Sequence, residues 1–253
     1  YINIGELYFY VIKSIIPQYL YMRNTIYDTL LTEEWVDEFT LDFFTSDYFK
    51  KLGIFLNREY SSNTCFPKRE NIFKIFKEIS PKDVRVVILS QDPYSHKDEA
   101  TGIAFGVDTE SVTYIPPSLK IIEAEVRESI HYPENWTLDY SLMSWVKQGV
   151  FLLNTSLTVR ESEPGSHSHM WNTFTKATIS TLNKTPGKIF LLWGKHAQGY
   201  KSLINENQHF ILEAAHPASE AYKRGAGFFD CNHFEKVNDI IKLNNGEEFI
   251  IKW

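Results

Sequence analysis

The chain has 253 residues, of which 43% are hydrophobic and 23% charged. This composition is typical of a soluble globular protein, and a chain of this length can form a core that needs no disulfides or structural metal ions. The two cysteines, Cys65 and Cys231, lie far apart and lack CxxC or Cys/His spacing, so the sequence predicts neither a disulfide framework nor a zinc site. The formal net charge of −6 at pH 7 by itself argues against a nucleic-acid partner.

The first segment of the chain, residues 1–34, is rich in Tyr and Ile. Its apolar stretch over residues 1–22 is interrupted by Glu6, Lys13 and Pro17, and no signal-peptide cleavage pattern follows it. We therefore expect an N-terminal extension that packs on the domain or offers a surface to a partner, and not a membrane anchor. A reducing, intracellular compartment fits the cysteine usage best.

Four apolar runs predict the strands of a parallel sheet. They are almost continuously hydrophobic, as strands covered on both faces are, and helical patterns alternate with them. The strands are predicted at 83–90, 149–156, 187–194 and 208–215. The helices are predicted at 40–51, 69–79, 117–129, 142–148, 170–182, 196–205 and 232–242. The sequence therefore predicts an α/β fold with a central four-stranded parallel sheet flanked by helices on both faces.

Polar and aromatic residues follow each predicted strand. The first strand is followed by QDPY at 91–94, the second ends in Asn154 with TSLTVR, the third runs into WGKH at 193–196, and the fourth is followed by His216 and Pro217. Ligands of such sheets bind in the crevice beyond the carboxyl ends of the strands. We therefore expect a site at this edge.

Each of these residues also has a structural interpretation. Asp92 before Pro93 is most often a turn, and Asn154 could be a satisfied buried amide. His216 could cap a strand, and Phe105 of GIAFGV could belong to the core. Taken together, they combine a carboxylate, an amide, an imidazole and aromatic rings, whereas GxGxxG and GxxxxGK[ST] are absent from the sequence. Such a set suits a pocket that holds a planar heterocycle by stacking and edge hydrogen bonds.

A series of motifs in this order and spacing resembles family 1 uracil-DNA glycosylase. The motifs are QDPYSHKDEATGIAFGV, IPPSL, WVKQGVFLLNTSLTVR, GSHSHMW, FLLWGKHAQ, AAHPAS and GFFDCNHF. The similarity covers roughly residues 35–253, which are expected to form the catalytic domain. It implies hydrolysis of the N-glycosidic bond of deoxyuridine in single- and double-stranded DNA, which releases uracil and leaves an abasic site during base excision repair. No cofactor and no metal ion is implied.

The resemblance also implies a role for each pocket residue. Asp92 would position or activate the attacking water and stabilise the cationic sugar, and His216 would donate to O2 of the departing base. Tyr94 would stand against C5, where thymine carries a methyl group. The remaining contacts would be a ring that stacks on uracil, an amide on its Watson–Crick edge and a residue that helps to line the pocket, namely Phe105, Asn154 and Gln91.

Small loops of the family press on the DNA backbone while the base leaves the stack. They answer the objection from net charge, because local donors and cations can bind a few phosphates although the whole chain is acidic. The DNA-binding residues implied in this way are Pro116, Pro117, Ser118, Ser166, His167, Gly194, Lys195, Ser219, Tyr222 and Arg224.

The last loop departs from the family pattern. It reads HPASEAYKRGAGFF, is two residues longer than the usual HPSPLS-x-x-R/K-G-F-F, and lacks the leucine that enters the base stack. We predict that Tyr222 acts as an aromatic wedge in its place, the alternative being a solvent-facing tyrosine in a longer loop. Ser95 and Lys195 replace a histidine and a serine that are common in the family, and Lys195 adds positive charge near the backbone.

Two other classes of function are open to such a fold. A DNA-binding adaptor would not need the pocket residues, and a small-molecule α/β enzyme is disfavoured by the missing phosphate-binding loop. The partners considered are DNA that contains uracil, a proteinaceous inhibitor of uracil-DNA glycosylase, and replication or repair proteins. The chain is expected to be a monomer without membrane contact, in the nucleus, the cytoplasm or a viral replication site.

Overall fold

The computed structural model of the protein describes residues 31–39 and 41–253. The predicted N-terminal extension therefore lies outside the described residues, apart from 31–34. In the described part, the helices are α1 (Glu33–Phe39), α2 (Leu41–Thr45), α3 (Asp47–Ser62), α4 (Lys74–Glu78), α5 (Pro117–Ile130), α6 (Met143–Val146), α7 (Ser168–Leu182), α8 (Lys195–Gln198), α9 (Pro217–Tyr222) and α10 (His233–Asn245). Short 3₁₀ helices lie at Arg69–Asn71, Lys201–Leu203 and Glu247–Phe249.

The strands form two sheets. They are β1 (Cys65–Phe66), β2 (Val86–Ser90), β3 (Val150–Asn154), β4 (Val159–Arg160), β5 (Ile189–Trp193) and β6 (Phe210–Ala214). The central sheet has the order β3-β2-β5-β6 with every pair parallel, while β1 and β4 form a small antiparallel pair. The predicted four-stranded parallel sheet flanked by helices is confirmed.

The register of the sheet brings the strand ends together. Ser90 at the end of β2 lies opposite Asn154 at the end of β3, and Trp193 of β5 lies opposite Ala214 of β6. Because all four strands are parallel, the chain leaves each of them at the same edge. The segments that follow them are therefore neighbours in space.

Burial within the sheet is uneven. Every residue of β2, β3 and β5 is buried, as their continuous apolar runs predict. Strand β6 is an edge strand of mixed exposure, and its Phe210 is 39% exposed. The expectation that all four strands are covered on both faces is therefore wrong for β6, whereas β3, the other edge strand, is fully buried.

Several predicted helices are interrupted. The helix predicted at 40–51 is split at Ser46, which has an extended backbone and whose side-chain hydroxyl caps α3 by accepting from the Phe49 N–H at 3.2 Å. The helix at 69–79 is a 3₁₀ turn followed by α4, and that at 196–205 is α8 followed by a 3₁₀ turn. No described helix is both long and apolar enough to cross a bilayer.

Candidate active site

A cavity of about 380 Å³ opens at the carboxyl edge of the central sheet. Its walls come from the segments that follow β2 and β3 and from the start of α9 after β6. The cavity is lined by all six predicted catalytic and substrate-binding residues, namely Gln91, Asp92, Tyr94, Phe105, Asn154 and His216. Ser90, Pro93, Ser118 and Tyr222 also line it.

The Asp92 carboxylate is held on one side only. Its Oδ2 accepts from the Gln91 Nε2 at 2.7 Å and from the Gly165 backbone N–H at 2.8 Å. Its Oδ1 has a long contact of 3.5 Å with the Ser168 hydroxyl. Two donors thus fix the orientation of the carboxylate, and the second oxygen keeps most of its capacity to accept a proton or a hydrogen bond.

The imidazole of His216 is held in one tautomer. His216 caps α9, and its Nδ1 accepts from the backbone N–H of Ala218 at 3.1 Å. Burial lowers the pKa of His216 below its usual value, which keeps the ring neutral at neutral pH. With Nδ1 as acceptor, the proton of the neutral ring resides on Nε2, so this atom is a donor.

Phe105 and Tyr94 form rigid aromatic surfaces of the cavity. The Phe105 ring lies 5.8 Å from the His216 ring and 5.6 Å from the Trp193 ring, between centroids. Phe105 has φ of +65°, a left-handed conformation that is uncommon for a bulky residue and that surrounding structure has to hold. The Tyr94 hydroxyl donates to the Phe105 carbonyl at 3.2 Å and lies 2.9 Å from the Ser118 hydroxyl, while burial raises the Tyr94 pKa, so the phenol stays neutral.

Asn154, the last residue of β3, is 5% exposed. Its side-chain Oδ1 is buried and has no hydrogen-bond partner among the described residues. An unpaired buried acceptor is costly unless a ligand satisfies it. This position suits a ligand that brings an N–H group into the cavity.

Comparison with known proteins assigns the family. A model described as the uracil DNA glycosylase superfamily matches residues 76–242. A uracil-DNA glycosylase of Clostridioides difficile (strain 630) is 41% identical over 216 residues, covering 84% of this chain and 92% of the relative. One of Amoebophilus asiaticus (strain 5a2) is 42% identical over 197 residues, covering 77% and 87%.

The chain belongs to the uracil-DNA glycosylase superfamily. Solved structures agree with the fold of this family. The crystal structure of mimivirus uracil-DNA glycosylase superposes with a TM-score of 0.76 at 26% identity, covering 88% of this chain and 87% of that one. The mimivirus UNG Y322F variant in complex with UGI gives a TM-score of 0.79 at 26% identity, with 89% of each chain covered.

The residues predicted to contact DNA differ in exposure. Those with exposed side chains are Pro117, Lys195, Tyr222 and Arg224, while Ser166, Gly194 and Ser219 are partly buried and Pro116, Ser118 and His167 are buried. Tyr222 is 91% exposed and also lines the cavity. The Ser118 hydroxyl is committed to Tyr94, so its side chain belongs to the wall of the cavity.

His167 requires a correction. Its side chain is 0% exposed, with Nδ1 2.8 Å from the Thr158 hydroxyl and Nε2 3.3 Å from Glu59. A fully buried imidazole does not reach a phosphate, so the predicted DNA contact of His167 is replaced by a structural role. Ser166 is likewise engaged inward, because its hydroxyl accepts from the Arg160 backbone N–H at 2.9 Å.

Glu59 and His167 also form, with Cys65, a group whose possible metal-ligand atoms lie within 4.8 Å of one another. The Arg160 guanidinium already binds both oxygens of Glu59, at 2.6 and 3.1 Å. It holds the pKa of Glu59 at about 2. A second positive charge at this carboxylate would be repelled by Arg160, so the group is a salt-bridge network of the core.

Two contributors to the cavity were not predicted. Gly165 supplies the backbone N–H that orients Asp92, at φ of +81°. His196 lies behind the site, where its Nε2 is 2.8 Å from the Thr155 hydroxyl, which donates to the Gln91 carbonyl at 3.0 Å. The sequence Pro-Gly-Ser at 164–166 is typical of a turn and indicates a special backbone conformation at Gly165. Nothing local in the sequence pairs His196 with Thr155.

Proposed function

We propose that Asp92 and His216 catalyse uracil excision in this chain through opposite charges, with Tyr94, Phe105 and Asn154 selecting the base. The activity itself, release of uracil from DNA with an abasic site left behind, is that of the family to which the chain belongs and of the relatives named uracil-DNA glycosylase. Its substrate is DNA that contains uracil, and its place is base excision repair. The observation that carries the proposal is the convergence of all five side chains on one cavity at the carboxyl edge of the sheet.

Asp92 serves the sugar side of the reaction. As the glycosidic bond breaks, the sugar gains positive charge, and a carboxylate nearby lowers the energy of that state. Gln91 and Gly165 hold one oxygen of Asp92 and leave the other to orient the attacking water. The water adds to C1′ as the C1′–N1 bond breaks and gives its proton to Asp92, which passes it to solvent. The uracil leaves with the bonding electron pair and takes a proton from solvent, so the products are free uracil and an abasic deoxyribose.

His216 serves the base side. The departing uracil gains negative charge at O2, and the Nε2–H of a neutral imidazole donates to this oxygen. The hydrogen bond strengthens as charge develops, so it stabilises the transition state more than the bound substrate. Removal of one such donor typically lowers the rate by about 10²–10³-fold.

Asn154 and Tyr94 discriminate between bases by separate means. The free Oδ1 of Asn154 accepts from N3–H of uracil, whereas cytosine offers an acceptor at N3 and would leave both groups unpaired. The Tyr94 ring, fixed through its hydroxyl, meets C5 of the base, and a thymine methyl group would clash with it.

The target base has to leave the duplex before it can enter the cavity, at a cost of a few kcal/mol. We infer that Tyr222 enters the vacated stack, as the exposure of its ring beside the cavity allows. Pro117, Ser219, Lys195 and Arg224, with the backbone at Gly194, would contact phosphates. Local contacts of this kind suffice although the chain is acidic.

We also propose the domain bounds, a partner, the oligomeric state and the compartment of the chain. Residues 35–253 would form the catalytic domain and 1–34 an extension. One mimivirus neighbour was solved in complex with UGI, and a proteinaceous inhibitor of this type is a partner that we propose for the DNA-facing surface. We propose a monomer. A reducing intracellular compartment fits the cysteine usage, and Cys65 is buried with its thiol pKa raised to about 11 by burial.

Uracil release from single-stranded and duplex oligonucleotides in EDTA tests the proposal. We expect the parent to stay active, because Asp92 and His216 need no metal. The variants Asp92→Asn and His216→Leu should each lose about 10²–10³-fold on both substrates. Asp239→Asn, at an exposed position of α10, is the matched control and should keep full activity. Activity that survives both active-site substitutions, or that EDTA abolishes, would contradict the assignment.

A further inference from the structure

A buried carboxylate organises the segment that follows α9. Glu220 lies within α9 and is 7% exposed. Its Oε2 accepts from the backbone N–H groups of Gly225 at 2.8 Å and Ala226 at 3.2 Å. Its Oε1 accepts from those of Gly227, Phe228 and Phe229 at 2.9, 2.8 and 3.3 Å. One side chain thus binds five consecutive amides, which we call the amide cradle, residues 225–229.

The backbone of the cradle is adapted to an anion. Gly225 and Gly227 have φ of +74° and +104°, and alternation of such residues with ordinary ones turns successive N–H groups toward one point. A Cβ at Gly225 would meet nothing within 4 Å, and one at Gly227 only Ala215 at 3.9 Å. The two glycines are therefore required by their conformation and not by crowding. The amides, that of Phe228 first, lower the pKa of Glu220 to about 2, so the carboxylate is ionised at any pH at which the protein would work.

The amide cradle fastens the loop of residues 222–229, which begins at the last residue of α9, back onto that helix. Tyr222, Lys223 and Arg224 lie between Glu220 and the first cradle residue, and their side chains are exposed. The loop is also tied at its base, because the Ala215 N–H donates to the Gly227 carbonyl at 3.2 Å, directly before His216. The chain therefore leaves α9 at Tyr222 and returns at once to the helix it left.

We propose that Glu220 is a positioning residue for the capture of uracil from duplex DNA, because its carboxylate holds the loop with Tyr222 in the shape that enters the base stack. This inference rests on the proposed wedge role of Tyr222. A loop fixed before binding loses less conformational entropy when DNA binds than a mobile one does. The negative charge does not repel the phosphates strongly, since five amide dipoles surround it and the cations of Lys223 and Arg224 stand outside.

Glu220→Gln tests the inference, since it keeps the shape of the side chain but replaces one acceptor oxygen by an NH₂ group that faces amide donors. We expect kcat/KM for uracil in duplex DNA to fall about tenfold, and that for a single-stranded oligonucleotide to change less than about twofold, because no stack has to be opened there. Glu235→Gln, at an exposed position of α10, is the matched control and should leave both values unchanged.

A double-mutant cycle with Tyr222→Ala separates positioning from general stability. If Glu220 acts through Tyr222, the variant Glu220→Gln/Tyr222→Ala should be no slower on duplex DNA than Tyr222→Ala alone, within about twofold. Losses that multiply, or that are equal on the two substrates, would overturn the inference. If Glu220→Gln does not fold, as thermal unfolding would reveal, Glu220→Asp carries the same cycle with the charge retained.

The cycle also distinguishes failure of this inference from failure of the wedge. An impaired Tyr222→Ala beside an unimpaired Glu220→Gln would overturn the role of Glu220 alone. Full duplex activity of Tyr222→Ala would overturn the wedge and the inference with it. It would leave the Asp92 and His216 mechanism standing, because the losses expected for those variants also apply to single strands, where no wedge is needed.

Discussion

The base cavity and the loop after α9 are built in different ways. The cavity takes its side chains from the ends of buried strands, and the core around it holds Phe105, 6% exposed, in a left-handed conformation. The Tyr222 side chain of the loop is 91% exposed, and the loop is held by backbone amides that donate to the Glu220 carboxylate and by the bond from Ala215 to Gly227. The side chains proposed for the chemistry are therefore supported by the core, whereas Tyr222, the proposed wedge, projects from a pre-shaped turn.

The charge states of the side chains are also controlled differently in the two regions. In the cavity, burial lowers the pKa of His216 and raises that of Tyr94, so both side chains stay neutral. The proposed role of His216 is to donate to the base, whereas the Tyr94 hydroxyl is engaged by Phe105 and Ser118. In the loop, amides lower the pKa of Glu220 and keep it charged. Given the proposed roles, substitutions in the cavity should slow uracil release from every substrate. Substitutions in the loop should slow it only from duplex DNA, where the base has to be unstacked.

Beyond the substitutions of Asp92 and His216 themselves, the largest expected effect comes from crowding His216. Gly194 has φ of +88°, and a Cβ there would lie 2.8 Å from the His216 Cβ. Gly194→Ala should displace the imidazole and lower uracil release about 100-fold on single strands and duplexes alike. Gly187→Ala is the matched control, since Gly187 has φ of +86° but nothing within 4 Å of its Cβ position. A Gly194→Ala protein as active as Gly187→Ala would show that the contact with His216 does not control the rate.

A smaller change in rate but a change in specificity is expected at Tyr94. Tyr94→Ala should open space at C5 and allow slow excision of thymine, while uracil release falls about tenfold. Tyr94→Phe loses the bonds to Phe105 and Ser118 but keeps the ring, so it should still refuse thymine. Release of labelled thymine from a duplex is the measurement, and a Tyr94→Ala protein that remains fully specific for uracil would place the discrimination elsewhere.

The pH dependence provides a more modest test of the cavity. An imidazole with an unshifted pKa of about 6.5 would be half protonated at a pH of about 6.5, whereas burial lowers the pKa of His216. Since protonation is moved to lower pH, single-strand kcat should vary less than about twofold between pH 8 and 6.5 and fall only below this range. Protonation also removes the acceptor for the Ala218 N–H. Loss of half the activity at pH 7 that vanishes in His216→Leu would contradict the neutral ring.

The smallest expected effect concerns Lys195. This exposed side chain begins α8 at the carboxyl edge of the sheet, and Lys195→Ala should reduce the salt dependence of DNA binding by about one phosphate contact. Lys147, exposed before the start of β3 at the opposite edge, is the control, and Lys147→Ala should keep the parent slope. Binding titrations at several salt concentrations give both slopes. An unchanged slope for Lys195→Ala would remove it from the DNA contacts.

The sequence predicted the cavity better than its surroundings, for physical reasons. Continuous apolar runs mark β2, β3 and β5, and the polar residues directly after them had to meet at one edge once the strands were parallel. Burial of His167 and the split of a helix at Ser46 depend on tertiary contacts and on a local cap that competes with helix propensity. The amide cradle was not predicted, because it arises only when two glycines adopt positive φ near Glu220.

The ratio of duplex to single-strand excision tests the division between cavity and loop most directly. It is measured as kcat/KM for one uracil-containing oligonucleotide, alone and paired, with the parent, His216→Leu and Tyr222→Ala. We expect His216→Leu to lower both values and keep the ratio, and Tyr222→Ala to lower the ratio about tenfold with little change on the single strand. A parent-like ratio for Tyr222→Ala, or a ratio that collapses in His216→Leu, would contradict this account.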